Sequence, residues 1–327
     1  MRAIVITRPG GPEVLEVVER PDPVAAAGDV MIRVKAFGLN RAELYFRSGV
    51  WGEVPQITGI ECVGEVSCDP QGRLSHGQKV LALMGGMGRT RAGSYAELVT
   101  VPSSNVVAVD SDLSWEELAA LPESYATAWT CLVGNLDLQA GQTLVVRGAT
   151  SALGQAALNI AVERGATVIA TTRNPARHAM LKQLGAAHVL AGENVRAADA
   201  LSIVPTGVDA ILDLLGTATL LDSLAMARVG GRVCIAGFLA GGHRLEQFDP
   251  VFQMPSGVHL SAFASAFAFS SDNYPLSAIP FHEFVSKAAA GAYRAQPARV
   301  FAFDEIAVAH RLMESNGAGG KVVVKVT

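Results

Sequence analysis

Few cysteines occur in this sequence, and none stands in a pattern that indicates a metal lobe or a disulfide framework. Cys62, Cys68, Cys131 and Cys234 are spread over 327 residues without a C-x-x-C pair. Structural zinc sites and small disulfide-stabilised domains both require closely or regularly spaced cysteines. We therefore expect reduced, mostly buried thiols.

Neither charge sign dominates, and no apolar run is long enough to cross a membrane. The 26 Lys and Arg residues against 30 Asp and Glu residues give a net charge of -4, which provides no basic field for nucleic acid or acidic lipid. The most apolar late stretch, Val258 to Phe269, is broken by serines, whereas a transmembrane helix needs about 20 apolar residues. The N-terminus enters a strand pattern without the features of a signal peptide. These absences predict a cytoplasmic protein that binds neither nucleic acid nor membranes.

Glycine and apolar residues, by contrast, are abundant. The 33 glycines and the 50% share of hydrophobic residues are typical of α/β enzymes with buried parallel strands. A chain of this length exceeds the usual size of one domain, which predicts two. Ser114 with Glu116 and Glu117 indicates the start of a short helix, which Pro122 is expected to interrupt near the domain boundary. In the first third, short apolar runs separated by Gly, Pro and Asp predict a β-rich, barrel-like domain: Ala3–Ile6, Val30–Ala36, Glu61–Ser67, Lys79–Met84 and Tyr95–Val101.

From Gly141 onward, apolar strands alternate with amphipathic helices, which predicts a doubly wound parallel sheet. The resulting division gives residues 1–122 and 263–327 to a catalytic domain and residues 123–262 to a Rossmann domain. The tail is expected to end in a strand at Lys321–Val326. The predicted strands are Leu144–Val146, Val168–Thr171, His188–Ala191, Asp209–Asp213 and Arg232–Ala236, and the predicted helices are Leu153–Glu163, Pro175–Leu184 and Leu220–Ala227.

The strongest local signal is the turn between the first strand and the first helix of this alternation. A dinucleotide pyrophosphate needs a tight turn above a helix N-terminus, usually written G-x-G-x-x-G. The three glycine positions are here Ala149, Ser151 and Gly154, so an ordinary strand-to-helix turn is the alternative. Its place in the first βαβ unit favours nucleotide binding, with the Ser151 hydroxyl as a possible phosphate donor. The expected cofactor contacts are Ala149, Thr150, Ser151, Ala152 and Leu153.

The segment Gly141–Ala157 resembles the quinone oxidoreductase family of the medium-chain dehydrogenase/reductase superfamily. That family's pattern is G-x-x-V-L-V-x-G-A-x-G-G-V-G-x-x-A, and Ser151 and Ala152 replace its two middle glycines. The resemblance covers nearly the full length and implies a β-rich, GroES-like catalytic domain, a Rossmann domain and hydride transfer. Further matching blocks are Gly59–Gly64, Leu121–Pro122, Thr127–Ala128, Gly207–Asp209 with Asp213, Phe303–Ala307 and Gly320–Val322.

The residues after the second Rossmann strand favour NADPH over NADH. An NAD site usually places an acidic residue there to hold the ribose 2′-hydroxyl, whereas this sequence reads Thr171-Thr172-Arg173-Asn174. Arg173 can pair with a 2′-phosphate and Thr172 can hydrogen-bond it. Arg177 is a second candidate, with a solvated position on a helix face as its alternative.

The sequence also lacks the donors of a catalytic zinc site. Where the superfamily's zinc enzymes carry their first cysteine ligand, this chain has Asn40 and Arg41, and Ile60 replaces the histidine of their G-H-E motif. Cys62 is expected to be a core residue, and Glu61 is mainly structural in the family. We therefore expect no metal.

Without a metal, the hydride acceptor has to be electrophilic already, as a quinone or a conjugated enone is. The segment Leu39–Gly49 is similar to the family's L-N-x-x-D-x-x-x-R-x-G, which implies that Asn40, Tyr45 and Arg47 lie near the nicotinamide pocket. The alternatives are a helix cap for Asn40, core packing for Tyr45 and a solvated charge for Arg47. Trp51 is either a wall against an aromatic substrate or an ordinary surface or core residue.

Several further contacts are implied by the resemblance. Thr127, Gly237 and Phe238 are expected beside the cofactor, and Lys321 either reaches the cofactor or is a turn lysine. The family is usually dimeric through the edge of its nucleotide-binding sheet, and the strand expected at Val233–Ala236 would offer such an edge, so the resemblance implies a homodimer. Three functions stay open: an NADPH-dependent quinone reductase, an enone or alkenal reductase on the same scaffold, and a non-catalytic NADPH-binding protein.

Overall fold

The computed structural model describes residues 1–242 and 244–326. The chain forms two compact units. The first unit comprises Met1–Glu123 and the segment that begins at Ala266, and the second unit is Ser124–Ser265. The division based on sequence put the two boundaries after residues 122 and 262.

The strands, in chain order, are β1 (Arg2–Ile6), β2 (Leu15–Glu19), β3 (Asp29–Gly38), β4 (Glu61–Cys68), β5 (Lys79–Leu83), β6 (Leu98–Pro102), β7 (Val106–Ala108), β8 (Thr143–Arg147), β9 (Thr167–Thr172), β10 (His188–Ala191), β11 (Val208–Asp213), β12 (Ala227–Ile235), β13 (His259–Ala262), β14 (Arg299–Ala302) and β15 (Val322–Lys325). The α-helices are α1 (Arg41–Ser48), α2 (Trp115–Leu118), α3 (Pro122–Trp129), α4 (Ala152–Glu163), α5 (His178–Gln183), α6 (Ala197–Ile203), α7 (Leu220–Met226), α8 (Pro250–Gln253), α9 (Ser265–Ala268), α10 (Phe281–Ala289) and α11 (Ile306–Glu314). A π-helical turn, Thr130–Asn135, follows α3, and short 3-10 turns lie at Pro12–Val14, Ser103–Asn105, Pro175–Arg177, Thr217–Thr219, Leu276–Ala278 and Phe303–Glu305.

The first unit is β-rich, as predicted. Its main sheet has the order β14-β15-β3-β4-β5-β7, and β6 also pairs with β3. The β14–β15 pair is parallel and the other pairs are antiparallel. The core is apolar and includes Phe37 stacked on Tyr95, with ring centroids 4.6 Å apart. The long β3 strand connects most of this unit, since it pairs with β4, β6 and β15.

The second unit contains the predicted doubly wound sheet. Its six described strands run in the order β10-β9-β8-β11-β12-β13, and every neighbouring pair is parallel. The order reverses at β8, so the carboxyl ends of β8 and β11 flank the point at which such folds bind nucleotides. Helices α4, α5 and α7 pack against strands of this sheet. The nearly continuous burial of β8, β9 and β11 is typical of parallel sheets, which are usually covered on both faces.

Two details of the fold differ from the expectations. The Val233–Ala236 segment is not a sheet edge, because β12 lies between β11 and β13. Within the described residues, the edges of this sheet are β10 and β13, so a homodimer could not form by adding a strand to β12. Pro122 begins α3 and does not end the preceding helix, since proline suits the first turn of a helix. No helix in the described part of the chain has the length and apolar character required to cross a membrane.

Candidate active site

The turn that follows β8 is shaped by one hydroxyl group. Ser151 is the N-cap of α4: its Oγ accepts the backbone N–H of Gly154 at 3.0 Å and donates to the carbonyl of Gly148 at 2.9 Å. Both hydrogen-bonding functions of the hydroxyl are therefore used inside the turn. The hydroxyl therefore acts as the cap of α4. The expected donation of this hydroxyl to a phosphate stays a prediction.

The same turn leaves three backbone donors without a partner. The N–H groups of Thr150, Ala152 and Leu153 make no hydrogen bond to any described residue. Unpaired amides at the start of a 12-residue helix, together with the helix dipole, are suited to bind an anion. Gly154 allows the helix to approach the strand, because a Cβ atom there would lie 2.5 Å from the carbonyl oxygen of Gly148.

The other expected cofactor residues of the second unit also lie at the carboxyl edge of the sheet. Arg173 directly follows β9, is exposed, and has no partner among the described residues. The Thr172 hydroxyl accepts the N–H of Asn174 at 3.1 Å and so is partly used within its own turn. Gly237 and Phe238 follow β12, and the phenyl ring is 43% exposed. Arg177 is half-buried and lies in the 3-10 turn before α5.

Asp213 shapes the carboxyl edge at the end of β11, and sequence analysis gave it no function. One carboxylate oxygen accepts the N–H groups of Leu215 and Gly216 at 2.8 and 3.1 Å. The other oxygen accepts the hydroxyls of Thr219 and Ser223. These four hydrogen bonds hold the loop after β11 in place. Thr127, which was expected beside the cofactor, lies on α3, and its side chain is buried.

A buried polar cluster lies in the first unit, where α1 begins. The ammonium of Lys321 donates to Glu61 Oε1 at 2.5 Å and to Asn40 Oδ1 at 2.7 Å. Asn40 Nδ2 donates to the same Glu61 oxygen at 2.9 Å, and Glu61 Oε2 accepts the N–H of Glu123 at 2.7 Å. The side chains of Lys321 and Glu61 are 4% and 0% exposed. Lys321, expected to reach the cofactor, is thus committed to Asn40 and Glu61.

Glu43 is a second buried carboxyl next to this cluster. Its Oε2 accepts the N–H of Asn40 at 2.7 Å, which is the glutamate half of a capping box at the start of α1, and its Oε1 accepts the N–H of Ile60. Burial raises the pKa of Glu43 to about 8, although Lys321 opposes the shift. Asn40 is the N-cap residue of α1, but its side chain makes no capping hydrogen bond, because its Oδ1 accepts from Lys321 and only its backbone carbonyl accepts the N–H of Glu43.

Arg47 has a structural environment that the sequence did not indicate. Its guanidinium is 2% exposed and donates to the carbonyl of Gly10, to His310 and to Glu314. These contacts tie α1 to α11 and leave no nitrogen directed at a substrate. We therefore withdraw Arg47 as a candidate catalytic residue, and the alternative of a solvated charge is wrong as well.

Tyr45 retains the features expected of a donor. It is half-buried on α1, its ring lies 4.8 Å from the ring of Trp51, and its hydroxyl has no hydrogen-bond partner in the described part of the chain. Trp51 also meets Phe46 edge-on and is 44% exposed. The two rings form a partly open aromatic surface with one unpaired hydroxyl group.

The donors of a zinc site are absent around Glu61. Ile60 and Cys62 are buried, and a cation already occupies the space between Asn40 and Glu61, namely the Lys321 ammonium. Burial raises the pKa of the Cys62 thiol far above its usual range, so the thiolate that binds metals is disfavoured. The residues around Glu61 therefore do not fit a zinc ion. Among the described His, Cys, Asp and Glu residues, no group of three could hold a metal ion.

Family models match both parts of the chain. Residues 26–111 match an alcohol dehydrogenase GroES-like domain, and residues 152–276 match a zinc-binding dehydrogenase domain. The quinone oxidoreductase of Mus musculus is 30% identical over 247 residues, which cover 72% of this chain and 73% of that protein. The synaptic vesicle membrane protein VAT-1 homolog of Rattus norvegicus is 29% identical over 245 residues, 72% of this chain. The matched region spans only 59% of that relative's length.

Two solved structures whose names refer to different nicotinamide cofactors resemble the chain over its whole length. An NAD-dependent alcohol dehydrogenase superposes with a TM-score of 0.84 at 27% identity, with 100% of each chain covered. A mycobacterial protein complexed with NADPH superposes with a TM-score of 0.88 at 26% identity, again with 100% of each chain covered. Similarity to these structures therefore does not distinguish between the two cofactors.

Proposed function

Because the chain belongs to the quinone oxidoreductase-like family of the medium-chain dehydrogenase/reductase superfamily, we propose that it reduces a quinone or a similar conjugated carbonyl compound with NADPH and without a metal. The observation that carries this proposal is the anion site at the start of α4. Unpaired N–H groups of Ala152 and Leu153, a close helix–strand contact at Gly154 and the unpaired Arg173 lie at one edge of the parallel sheet. The pyrophosphate and the 2′-phosphate of NADPH match this arrangement of donors.

Arg173 supports the choice of NADPH over NADH. A 2′-phosphate needs a cation, and the exposed guanidinium of Arg173 has no competing acidic partner among the described residues. An acidic residue, which would hold the 2′-hydroxyl of NADH, is missing from Thr171 to Asn174. Bound NADPH would supply the hydride.

The lack of zinc ligands around Glu61 directs the choice of acceptor. Zinc enzymes polarise the carbonyl or alcohol oxygen with the metal, and here the residues around Glu61 hold the Lys321 ammonium. An acceptor that needs no such polarisation is one whose electron-poor carbon is conjugated to a carbonyl group. Quinones and enones have this property, and simple ketones do not.

Hydride arrival places negative charge on the conjugated oxygen, which a hydrogen-bond donor stabilises. Two side chains of the first unit are suitable for this role. The Tyr45 hydroxyl is unpaired beside Trp51, and Asn40 has one amide N–H that is not bound to Glu61. The Tyr45–Trp51 surface would also favour a flat, aromatic acceptor by stacking.

Single-turnover kinetics test this proposal. The protein is loaded with one equivalent of NADPH and mixed in a stopped-flow instrument with a panel of benzoquinones and naphthoquinones, and then with a panel of enones and alkenals. We expect rapid loss of NADPH absorbance with quinones and slower loss with enones. The reverse order would assign the chain to the enone reductases. Tight NADPH binding without oxidation by either panel would contradict the enzymatic proposal and favour a non-catalytic NADPH-binding protein.

A further inference from the structure

The Lys321–Glu61 ion pair is buried, and its hydrogen bonds with Asn40 determine the orientation of the Asn40 side-chain amide. A lysine ammonium can only donate hydrogen bonds, and an ionised carboxylate can only accept them. The one carboxylate oxygen and the one ammonium nitrogen in contact with the Asn40 amide therefore allow a single amide orientation, with Oδ1 toward Lys321 and Nδ2 toward Glu61. Rotating the amide by half a turn would place two donors together and two acceptors together.

This orientation leaves one amide hydrogen of Asn40 unpaired. One Nδ2–H is bound to Glu61 Oε1, and the described residues offer no acceptor to the second. Asn40 is also the only half-buried member of the three, since Lys321 and Glu61 are buried. A bound molecule would therefore meet the cluster through the second Nδ2–H of Asn40.

The backbone around the cluster is adapted to it. At Gly38, a Cβ atom would lie 2.4 Å from both Glu61 Oε1 and Lys321 Cε. Gly38 ends β3, which pairs with β4 and with β15, so the three strands bring Asn40, Glu61 and Lys321 together from distant parts of the chain. A side chain at position 38 would push the ion pair apart.

We propose that Glu61 and Lys321 are positioning residues for the reduction: their ion pair holds the Asn40 amide so that its second N–H points at the oxygen of the acceptor. The inference rests on the proposed function. It assigns the catalytic contact to Asn40 and an indirect role to Lys321, which was expected at the cofactor. A preoriented donor stabilises developing charge better than a mobile one, because no reorganisation is needed during the reaction.

Two substitutions of Lys321 separate this role from simple charge neutralisation. Lys321→Met and Lys321→Gln both remove the charge opposite Glu61, but only glutamine can still donate to Asn40 Oδ1. We expect Lys321→Met to lower the quinone kcat roughly tenfold and Lys321→Gln to lower it less than about threefold. NADPH affinity should be unchanged in both. Equal losses in the two variants would overturn the proposal and leave a purely structural ion pair.

A double-mutant cycle with Asn40→Ala provides the decisive comparison. If Lys321 acts through Asn40, Lys321→Met should reduce kcat less than about twofold once Asn40 is alanine. Independent, multiplicative losses would contradict the proposal. If Lys321→Met leaves Glu61 without its buried partner and so prevents folding, Glu61→Gln is introduced into all four chains of the cycle, and the Glu61→Gln single variant becomes the reference. The ion pair Glu283–Lys287 on α10, in which Glu283 is exposed and Lys287 is half-buried, is the matched control: changing it to Gln and Met should leave kcat unchanged.

Amide NMR distinguishes a failure of this inference from a failure of the proposed function. The side-chain ¹⁵N signals of Asn40, assigned by their loss in Asn40→Ala, should shift in Lys321→Met and stay near their parental positions in Lys321→Gln. If these shifts are seen in a protein that reduces neither quinones nor enones, the proposed function is refuted, but the orientation of the Asn40 amide is supported. Signals that are unaffected by both substitutions would refute the positioning itself.

Discussion

The guanidinium of Arg47 donates to Nδ1 of His310 over 3.0 Å, and this contact fixes which nitrogen of the histidine carries the proton. Because arginine cannot accept, Nδ1 has to be unprotonated. Nε2 then carries the hydrogen and donates to the hydroxyl of Tyr95, 2.9 Å away. Burial, helped by the nearby Arg47 charge, lowers the pKa of His310 to about 3.

His310 is therefore expected to make the folded protein acid-sensitive. Below pH 6.5, the ordinary pKa of histidine, the unfolded chain binds a proton that the native state does not bind until about pH 3. Stability is full above pH 6.5 and falls as the pH drops, by about 1.4 kcal/mol per pH unit. In His310→Gln, the amide can accept from Arg47 and donate to Tyr95 without titrating. Urea unfolding at pH 7 and pH 5 should show the parent losing about 2 kcal/mol more than the variant.

Glu43 acts with the opposite sign and does not disturb this comparison. Its pKa is raised to about 8 in the folded state, so its contribution to stability is present at low pH and is lost as the pH rises toward 8. Both proteins retain Glu43, and its effect cancels in the difference. Parallel stability curves for the parent and His310→Gln would show that His310 takes up its proton in the native state.

Gly154 offers a test of the turn that follows β8. In Gly154→Ala, the new methyl group would lie 2.5 Å from the Gly148 carbonyl oxygen and 2.7 Å from Ala149 Cα, both backbone atoms. The start of α4 has to move, which should cost about 1–3 kcal/mol of stability and weaken NADPH binding. Gly134→Ala is the matched control, because its Cβ atom meets nothing closer than 3.8 Å. Urea unfolding and fluorescence titration with NADPH measure the two effects; equal behaviour of the two variants would refute the close-approach argument.

Arg173 is expected to determine the preference for NADPH. The parent should bind NADPH more tightly than NADH, and Arg173→Ala should reduce that difference by about 1.5 kcal/mol, roughly tenfold in affinity, by removing one charge-assisted contact. Arg8→Ala, an exposed arginine of the first unit, controls for the change in net charge. Fluorescence titrations with both cofactors provide the measurement. If the parent protein binds NADPH and NADH with equal affinity, Arg173 does not determine a preference for NADPH.

The metal-free proposal predicts insensitivity to chelators. After dialysis against a strong chelator, quinone reduction should persist at the parental rate, because Ile60 and the Lys321 ammonium leave no zinc site beside Glu61. Elemental analysis should find far less than one zinc per chain. Activity that disappears on dialysis and returns with added zinc would mean that other residues bind a metal.

The parts of the fold that could be predicted from sequence are those with a local periodic signal. The strand, turn and helix around β8 and α4 have regular apolar spacing, and Gly154 retains the one glycine that close packing requires. β13 is only four residues long, His259–Ala262, within a serine-containing apolar stretch. Because the sequence does not predict β13, the interior strand β12 was expected at the edge of the sheet.

The side-chain roles that could not be predicted depend on distant partners. Arg47 looks like a solvated charge at the end of α1, and only the position of α11, more than 250 residues later, shows that His310 and Glu314 surround it. Lys321 and Glu61 are 260 residues apart. The sequence nevertheless indicated that Glu61 has a buried partner, since a glutamate in an apolar strand needs a buried cation or donor. The use of the Ser151 hydroxyl as a helix cap also agrees with the residue preferences at that position.

The substitution Tyr45→Phe tests the proposed chemistry most directly. The change removes the unpaired hydroxyl and keeps the ring against Trp51, so packing and stability should be preserved. If the hydroxyl donates to the acceptor oxygen as charge develops, its loss should reduce kcat/KM for quinones by roughly 1–2 kcal/mol, about 5- to 30-fold, since a neutral donor in a partly hydrated environment contributes less than a buried oxyanion-hole amide. NADPH affinity should barely change. Tyr274→Phe, a second half-exposed tyrosine of the first unit, should leave both quantities unchanged. Quinone kinetics within twofold of the parent would reduce Tyr45 to a packing residue and leave Asn40 as the remaining donor, whereas loss of NADPH binding would mean that Tyr45 belongs to the cofactor site.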